Sequence, residues 1–193
     1  MNKAIILTMI LLVFFGITWL GIQLFSFSPS SFGNKLSLHE NFKAKSSQII
    51  SLKNYFEKLI PENVNVSFEF SSENNKFDLG ILLINPATKM EVYPAIGGEK
   101  ISPGSAQMDS LLDYLNWNMV NIDTLVSKLQ QSNCVGVSGG NPIQILFRKS
   151  GLESTSYLIF DQPLSDSLQK LYNHKEGYSV YNETTVLREI YPL

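Results

Sequence analysis

An α+β domain carried behind one membrane-spanning helix is the fold class that this sequence predicts, and three observations predict it. Residues Ala4–Phe25 form an apolar run without a charge. Two later stretches repeat apolar residues at helical spacing. The other apolar stretches alternate at period two, or run unbroken between tight turns, as the strands of a mainly antiparallel sheet do.

The run comes first. Its twenty-two residues include only Thr8, Thr18 and Gln23 as polar side chains. About 20 residues rising ~1.5 Å each cross a hydrocarbon core of ~30 Å. Trp19 and Phe25 stand towards the far end, where aromatic rings favour the headgroup level. A cleaved signal peptide has a shorter apolar region, about 7–15 residues, ending in a small-x-small site. The best match here, Ser26-Phe27-Ser28, is followed by Pro29, a poor context for cleavage. A retained anchor over residues 1–25 is therefore expected. Lys3 beside the α-amine predicts a cytoplasmic tail and an extracytoplasmic C-terminal part.

Residues 26–45 read as a linker, rich in Ser, with Pro29 and Gly33 and no steady period. Its Lys35, Lys43 and Lys45 can reach lipid headgroups. The soluble domain is expected over residues 46–193. Ile49, Leu52, Phe56 and Leu59 predict a helix capped by Ser46 or Ser47 and ended by Pro61. Val64–Phe70 alternates as a half-buried strand, and Phe77–Ile84 is apolar on nearly both faces, as a central strand is. Asn85–Gly104, with its prolines and glycines, reads as a long connection holding a short strand near Met90–Tyr93.

Met108, Leu111, Leu112 and Leu115, then Ile122, Leu125, Val126 and Leu129, each follow the i, i+3, i+4, i+7 rule and predict two helices. Asn121 or Asp123 is the expected cap of the second. Cys134–Val137, Ile143–Lys149 and Thr155–Phe160 predict three antiparallel strands joined by short turns. Pro163 opens a short helix carrying Leu164, Leu168 and Leu171, and Tyr178–Tyr181 with Thr185–Tyr191 predicts a closing hairpin. The sequence shows no internal repeat.

Composition excludes some functions. Fifteen Lys and Arg stand against 17 Asp and Glu. Without Lys3 the balance is 14 against 17, or −3, which argues against nucleic acid as a partner. Cys134 is the single cysteine, so an intrachain disulfide and a cysteine-based zinc site are both excluded. An extracytoplasmic domain without disulfides fits a bacterial envelope.

The residues able to carry chemistry are few. His39 and His174 are the only histidines, and neither has a second ligand at metal spacing, so no metal is expected. Asp109 and Asp113, four apart on one helix face, could do acid–base work or hold a hard cation, although a solvated helix face explains them as well. Ser138-Gly139-Gly140-Asn141 could turn backbone N–H groups towards an anion, but it lacks the lysine of a P-loop and reads equally as a tight strand connection. Gly136-Val137-Ser138-Gly139-Gly140 has the letters G-x-S-x-G, but it does not clearly open a helix, so it is not read as a nucleophile elbow. Cys134 opens a strand with no base in sight and reads as inert. Tyr157, Phe160, Tyr178, Tyr181 and Tyr191 could line a ligand or partner surface, or serve as cross-strand packing. No cofactor is called for.

Leu115-Asn116-Trp117, Cys134, Phe147-Arg148, Tyr157–Phe160 with Asp161-Gln162-Pro163-Leu164, and Tyr178–Tyr181 together resemble a pattern of membrane-anchored bacterial proteins that lack an assigned activity. The resemblance runs from about Leu115 to the C terminus and carries over no functional residue. The expectation is a single-pass membrane protein whose extracytoplasmic domain binds a protein partner or ligand without catalysis. A membrane-tethered hydrolase or transferase using Asp109, Asp113 or Asp161 is one rival. An accessory or immunity-type subunit of a membrane complex is the other.

Overall fold

Ser37 starts the first helix through a reciprocal cap. Its hydroxyl accepts the Glu40 N–H at 3.1 Å, and the Glu40 carboxylate accepts the Ser37 N–H at 2.9 Å. Helix α1 then runs Leu38–Leu59. It bends at Lys45, whose φ of −125° and ψ of 15° are not helical. This corrects two expectations, a linker reaching residue 45 and a cap at Ser46 or Ser47. The expected boundary exists as a bend inside one helix. Leu38 and Phe42 are buried one turn apart and make the earlier segment part of the core. The pattern was hard to read because the polar Asn41 also lies on the buried face.

The structure is a computed structural model that describes residues 37–71, 75–88 and 91–191. The expected anchor and nearly all of the expected linker before α1 lie outside these residues. Eight strands follow α1: β1 Val64–Ser71, β2 Lys76–Ile84, β3 Glu91–Ile101, β4 Gly136–Ser138, β5 Ile143–Ser150, β6 Glu153–Ile159, β7 Tyr178–Asn182 and β8 Thr185–Ile190. They form one sheet in the order β3-β2-β1-β4-β5-β6-β8-β7, and every neighbouring pair is antiparallel. Three more helices complete the described fold: α2 Ala106–Leu115, α3 Met119–Ser132 and α4 Asp166–His174. The α+β class with an antiparallel sheet and covering helices is as expected.

The chain makes the same tour twice. Helix, three-strand meander and helix occur as α1-β1-β2-β3-α2 and again as α3-β4-β5-β6-α4, before the closing hairpin. The first strands of the two tours, β1 and β4, pair at the middle of the sheet. The repeat is one of topology, with no counterpart in the sequence.

Alternation along the strands sorts the side chains between faces. Phe68, Leu79, Ile81, Val137, Ile145, Tyr157 and Leu187 pack with the buried stripes of α1, α2 and α3 in one core. Leu158 and Val186 point the other way and, with Leu164, form a smaller cluster against which Tyr172 of α4 packs. Helices α1–α3 therefore cover one face of the sheet, and α4 covers part of the other, over β6, β8 and β7.

Three local expectations are corrected. Strand β3 reaches eleven residues, with two register irregularities against β2 absorbing the breakers. Asn118 caps α3, with Asn121 completing a capping box from the third position. Ser165, not Pro163, opens α4 by capping it, so Leu164 lies ahead of the helix and enters a core while Leu168 and Leu171 on it are 40 % and 58 % exposed.

Helices α2 and α3 end alike. Asn116 (φ 54°) and Asn133 (φ 54°) take the left-handed conformation that asparagine tolerates. The next residues, Trp117 and Cys134, bond back to Leu112 and Leu129 carbonyls and are buried. Leu115-Asn116-Trp117 is thus a helix ending.

Asn41 ties the layers together. Fully buried, its Nδ2 donates to the Ser132 carbonyl and to the Tyr157 hydroxyl oxygen, both at 3.0 Å. Its Oδ1 accepts from Asn133 Nδ2 at 3.2 Å, and the Tyr157 hydroxyl donates to the Leu38 carbonyl at 3.0 Å. A buried polar group left without its partner costs about 1–3 kcal/mol. Asn41→Leu, of similar size, is expected to lower unfolding stability by that amount in a urea titration; a change under about 0.5 kcal/mol would contradict the role assigned to the amide.

Candidate functional site

The part of the second sheet face that α4 leaves uncovered is mostly small and polar, although Leu146, Ser156 and Gly136 within it are buried. Moving across the sheet, Ser156, Leu146, Gly136, Glu69 and Asp78 stand in one register row, and Gln144, Ser138, Ser67 and Gly80 stand in the next. Two glycines are required by close approaches. A Cβ on Gly136 would lie 2.9 Å from Glu69 Cγ, and one on Gly80 would lie 2.6 Å from Ser67 Oγ. The missing side chain at Gly136 lets Glu69 of β1 reach over β4 to Lys149 of β5, where the ammonium donates to both carboxylate oxygens at 2.8 and 2.9 Å. Shallow grooves of about 410 and 220 Å³ flank this ion pair. Ser67, Ser138, Gln144 and Ser154 line the smaller one.

Arg188 stands at the border between this open region and α4. Its Nη1 donates to Gln144 Oε1 at 3.1 Å, Gln144 Nε2 donates to Ser156 Oγ at 3.3 Å, and the guanidinium lies 5.8 Å from the Tyr178 ring centroid. Its Nε is buried and has no hydrogen-bond partner among the described residues. No ion pair to Arg188 occurs among the described residues. The face thus offers hydroxyls, an amide and a held guanidinium, which are recognition groups. Neither histidine lies in it, and Cys134 is buried elsewhere.

The structure brings one carboxylate candidate to a partner. Asp161, just after β6, accepts from Lys53 Nζ at 2.7 Å, and Glu57 accepts from the same ammonium at 2.5 Å. Lys53 is buried, at 7 % exposure, in line with Ile49, Leu52 and Phe56. Desolvation opposes its charge, but hydrogen bonds to Asp161 and Glu57 outweigh this and raise its pKa. The Lys53 hydrogen bond, seconded by Glu57, holds the Asp161 carboxyl below its ordinary range. Asp109 and Asp113 remain exposed on α2 and do not join this cluster.

The remaining candidates scatter. His39 is exposed on α1 and stacks at 5.0 Å on Tyr181. His174, exposed at the end of α4, has Nδ1 2.6 Å from the Lys170 carbonyl. Among the described residues, no three His, Cys, Asp or Glu side chains gather as a metal site would require. The Gly139 N–H is spent on the Val66 carbonyl at 2.8 Å, so Ser138–Asn141 is a strand turn. Cys134 is buried against the Ser132 carbonyl, and burial pushes its thiol up to about 12.

The C-terminal aromatics do not share one surface. Tyr157 and Tyr181 pack on Phe42 on one face. Phe160 and Tyr178 pack on Tyr172 on the other. Tyr191 is exposed and donates to Glu189.

Sequence reasoning missed Lys53, Glu57, Gln144 and Arg188. A signal existed for two of them. Lys53 occupies the i+4 place of the Ile49 stripe, and Arg188 interrupts the alternation of Val186 and Ile190. No protein-family model, curated protein or solved structure matches the chain.

Two outcomes follow from these environments. Cys134 should resist a thiol reagent at about pH 8 in the folded chain and react promptly in urea, because the thiolate is the nucleophile; fast labelling without denaturant would contradict its burial. Asp161, with its folded pKa depressed, contributes stability above its ordinary pKa of 3.8 and loses it as pH falls further. Lys53, with its pKa raised, contributes below 10.5 and loses that as pH rises beyond it. Asp161→Asn should therefore lower Tm near neutral pH, with the gap to wild type closing below 3.8. A gap of constant size down to about pH 2 would contradict the ion pair.

Proposed function

We propose that this chain is a membrane-tethered binding protein whose domain recognises a protein partner through the open sheet face, without catalysis. The observation that carries the reading is Arg188. Its guanidinium is half-buried, held by Gln144 beside Tyr178 and without an ion pair among the described residues, and such a group fits a carboxylate supplied from outside. Ser67, Ser138, Gln144 and Ser154 line a shallow groove on the adjoining surface that a partner's side chains can enter.

The tether reading rests on Ala4–Phe25, which has the length and polarity of a spanning helix. That run lies outside the described residues. None of the described helices is long and apolar enough to cross a membrane. An extracytoplasmic domain follows from the placement of Lys3, and an accessory subunit of a membrane complex is the form of partner binding that best suits a tethered domain.

The hydrolase reading is the weaker one. Asp161 is held ionised by Lys53, and a carboxylate kept below its ordinary range is a poor proton acceptor near neutral pH.

A photoreactive residue at Ser154, on the open face, should give a discrete covalent adduct with one membrane protein in native membranes, and Arg188→Glu should abolish it. The same reporter at Gln130 on α3 should give none. Adducts from Gln130 alone, or turnover of a hydrolase substrate panel that Asp161→Asn abolishes, would overturn the proposal.

A further inference from the structure

The sheet ends in two edge strands, β3 and β7, and protects them differently. An edge strand leaves a row of backbone groups open to pairing, and natural sheets blunt it with proline, charge, irregular register or a covering element. Strand β3 carries its own breakers: Pro94, Gly97, Gly98, Glu99 and Lys100, with two register irregularities against β2. Strand β7 has no such residue. Its sequence, Tyr178-Ser179-Val180-Tyr181-Asn182, contains no charge, proline or glycine, and Tyr178–Val180 pair with β8 in regular register.

Helix α4 supplies the cover. Ser179 stands opposite Leu187 of β8, and the Glu189 N–H donates to the Gly177 carbonyl at 2.7 Å. Gly177 and Ser179 are thus the residues turned towards β8, and alternation turns the Tyr178 and Val180 N–H groups outward. Both outward donors are met from the α4 side. Tyr178 N–H donates to the carbonyl of Lys175, the residue that caps the helix, at 3.1 Å, and Val180 N–H donates to Asn173 Oδ1 in its last turn at 3.1 Å. Tyr172 packs on Tyr178 at 5.6 Å and on Phe160 at 5.9 Å, and Lys175 Nζ lies 4.4 Å from the Tyr178 ring centroid. These contacts are thin. No residue of α4 is buried, and an element with few buried apolar contacts opens at a free energy below that of the whole fold.

We infer that α4 is a strap over the β7 edge, that it opens as a unit while the sheet stays folded, and that the occupant it excludes is the β7 strand of a second copy. An antiparallel pair about Val180 is isologous. An uncharged strand then meets its own copy without repulsion, and the Val180 N–H released by Asn173 donates to a backbone carbonyl of the other chain. Asn173 is the central contact, because among the described residues it alone ties a helical residue of α4 to a backbone group of β7. The inference needs neither the anchor nor a partner at the open face.

The test uses the full chain in detergent. Amide exchange followed residue by residue should show the Val180 N–H exchanging together with the α4 amides, at least about tenfold faster than the Ser179 N–H inside the sheet. Val180 exchanging in step with Ser179 would overturn the inference. In a second arm, Tyr172→Ala with Asn173→Ala frees the helix, and sedimentation should show a concentration-dependent doubling of mass relative to wild type. Val180→Pro, added to that double variant, should restore the wild-type mass, because proline removes the outward N–H and an edge strand accepts it. A double variant that keeps the wild-type mass, or one whose association survives the proline, would overturn the inference.

Discussion

The side-chain amide of Asn41 fixes where everything else goes. It joins the first turns of α1 to the last turn of α3 through the Ser132 carbonyl, and to the sheet through the Tyr157 hydroxyl. A buried amide tolerates few positions, because each of its polar atoms needs a partner in a medium that cannot supply water. Leucines alone would let α1 slide along the sheet; the amide gives the helix one register. With α1 in place, α3 lies beside it, and their shared stripe covers the faces of β1, β4, β5 and β6 that carry Phe68, Val137, Ile145 and Tyr157.

Coverage of one face leaves the other to be solved differently. At one end, α4 and the Leu158–Val186 pair build a second small core. At the centre no helix covers the sheet, and mostly small and polar side chains, spanned by the Glu69–Lys149 ion pair, take its place. Glycine within a strand costs stability relative to residues with a side chain. Gly80 and Gly136 nevertheless occupy paired strands in mid-sheet, because Ser67 and Glu69 fill the space where their side chains would be. Arg188 gives the uncovered surface a guanidinium with no ion pair among the described residues.

Much of the fold was legible because the periods were clean. Met108, Leu111, Leu112 and Leu115 are all buried on α2, and Ile122, Leu125 and Leu129 on α3, as spacing alone required. What was not legible came from residues that break the binary rule. Asn41 is a polar residue on the buried side of α1 ahead of the bend, so the helix read as beginning at the bend instead of at Ser37, and Lys53, polar on the same side beyond it, drew no notice. Strand β3 contains Pro94, Gly97 and Gly98, which read as a loop; an edge strand accepts them because only one of its sides must pair. The site was less legible still. Gln144, Ser156 and Arg188 are far apart in sequence and meet only through the register of β5, β6 and β8. The aromatic residues that drew attention in the sequence proved to be divided between two faces.

We propose that the sheet face left uncovered by the helices is the working surface of a domain held at a membrane. Cysteine footprinting on intact membranes tests it most directly, with single reporters at Ser67 and Ser138 on that face and at Asp113 and Gln130 on the helical side. The account predicts that a membrane-impermeant thiol reagent labels the first pair slowly in native membranes and quickly after purification, and labels the second pair equally in both. Equal labelling of Ser67 and Ser138 reporters before and after purification, or protection of the helical side instead, would contradict it.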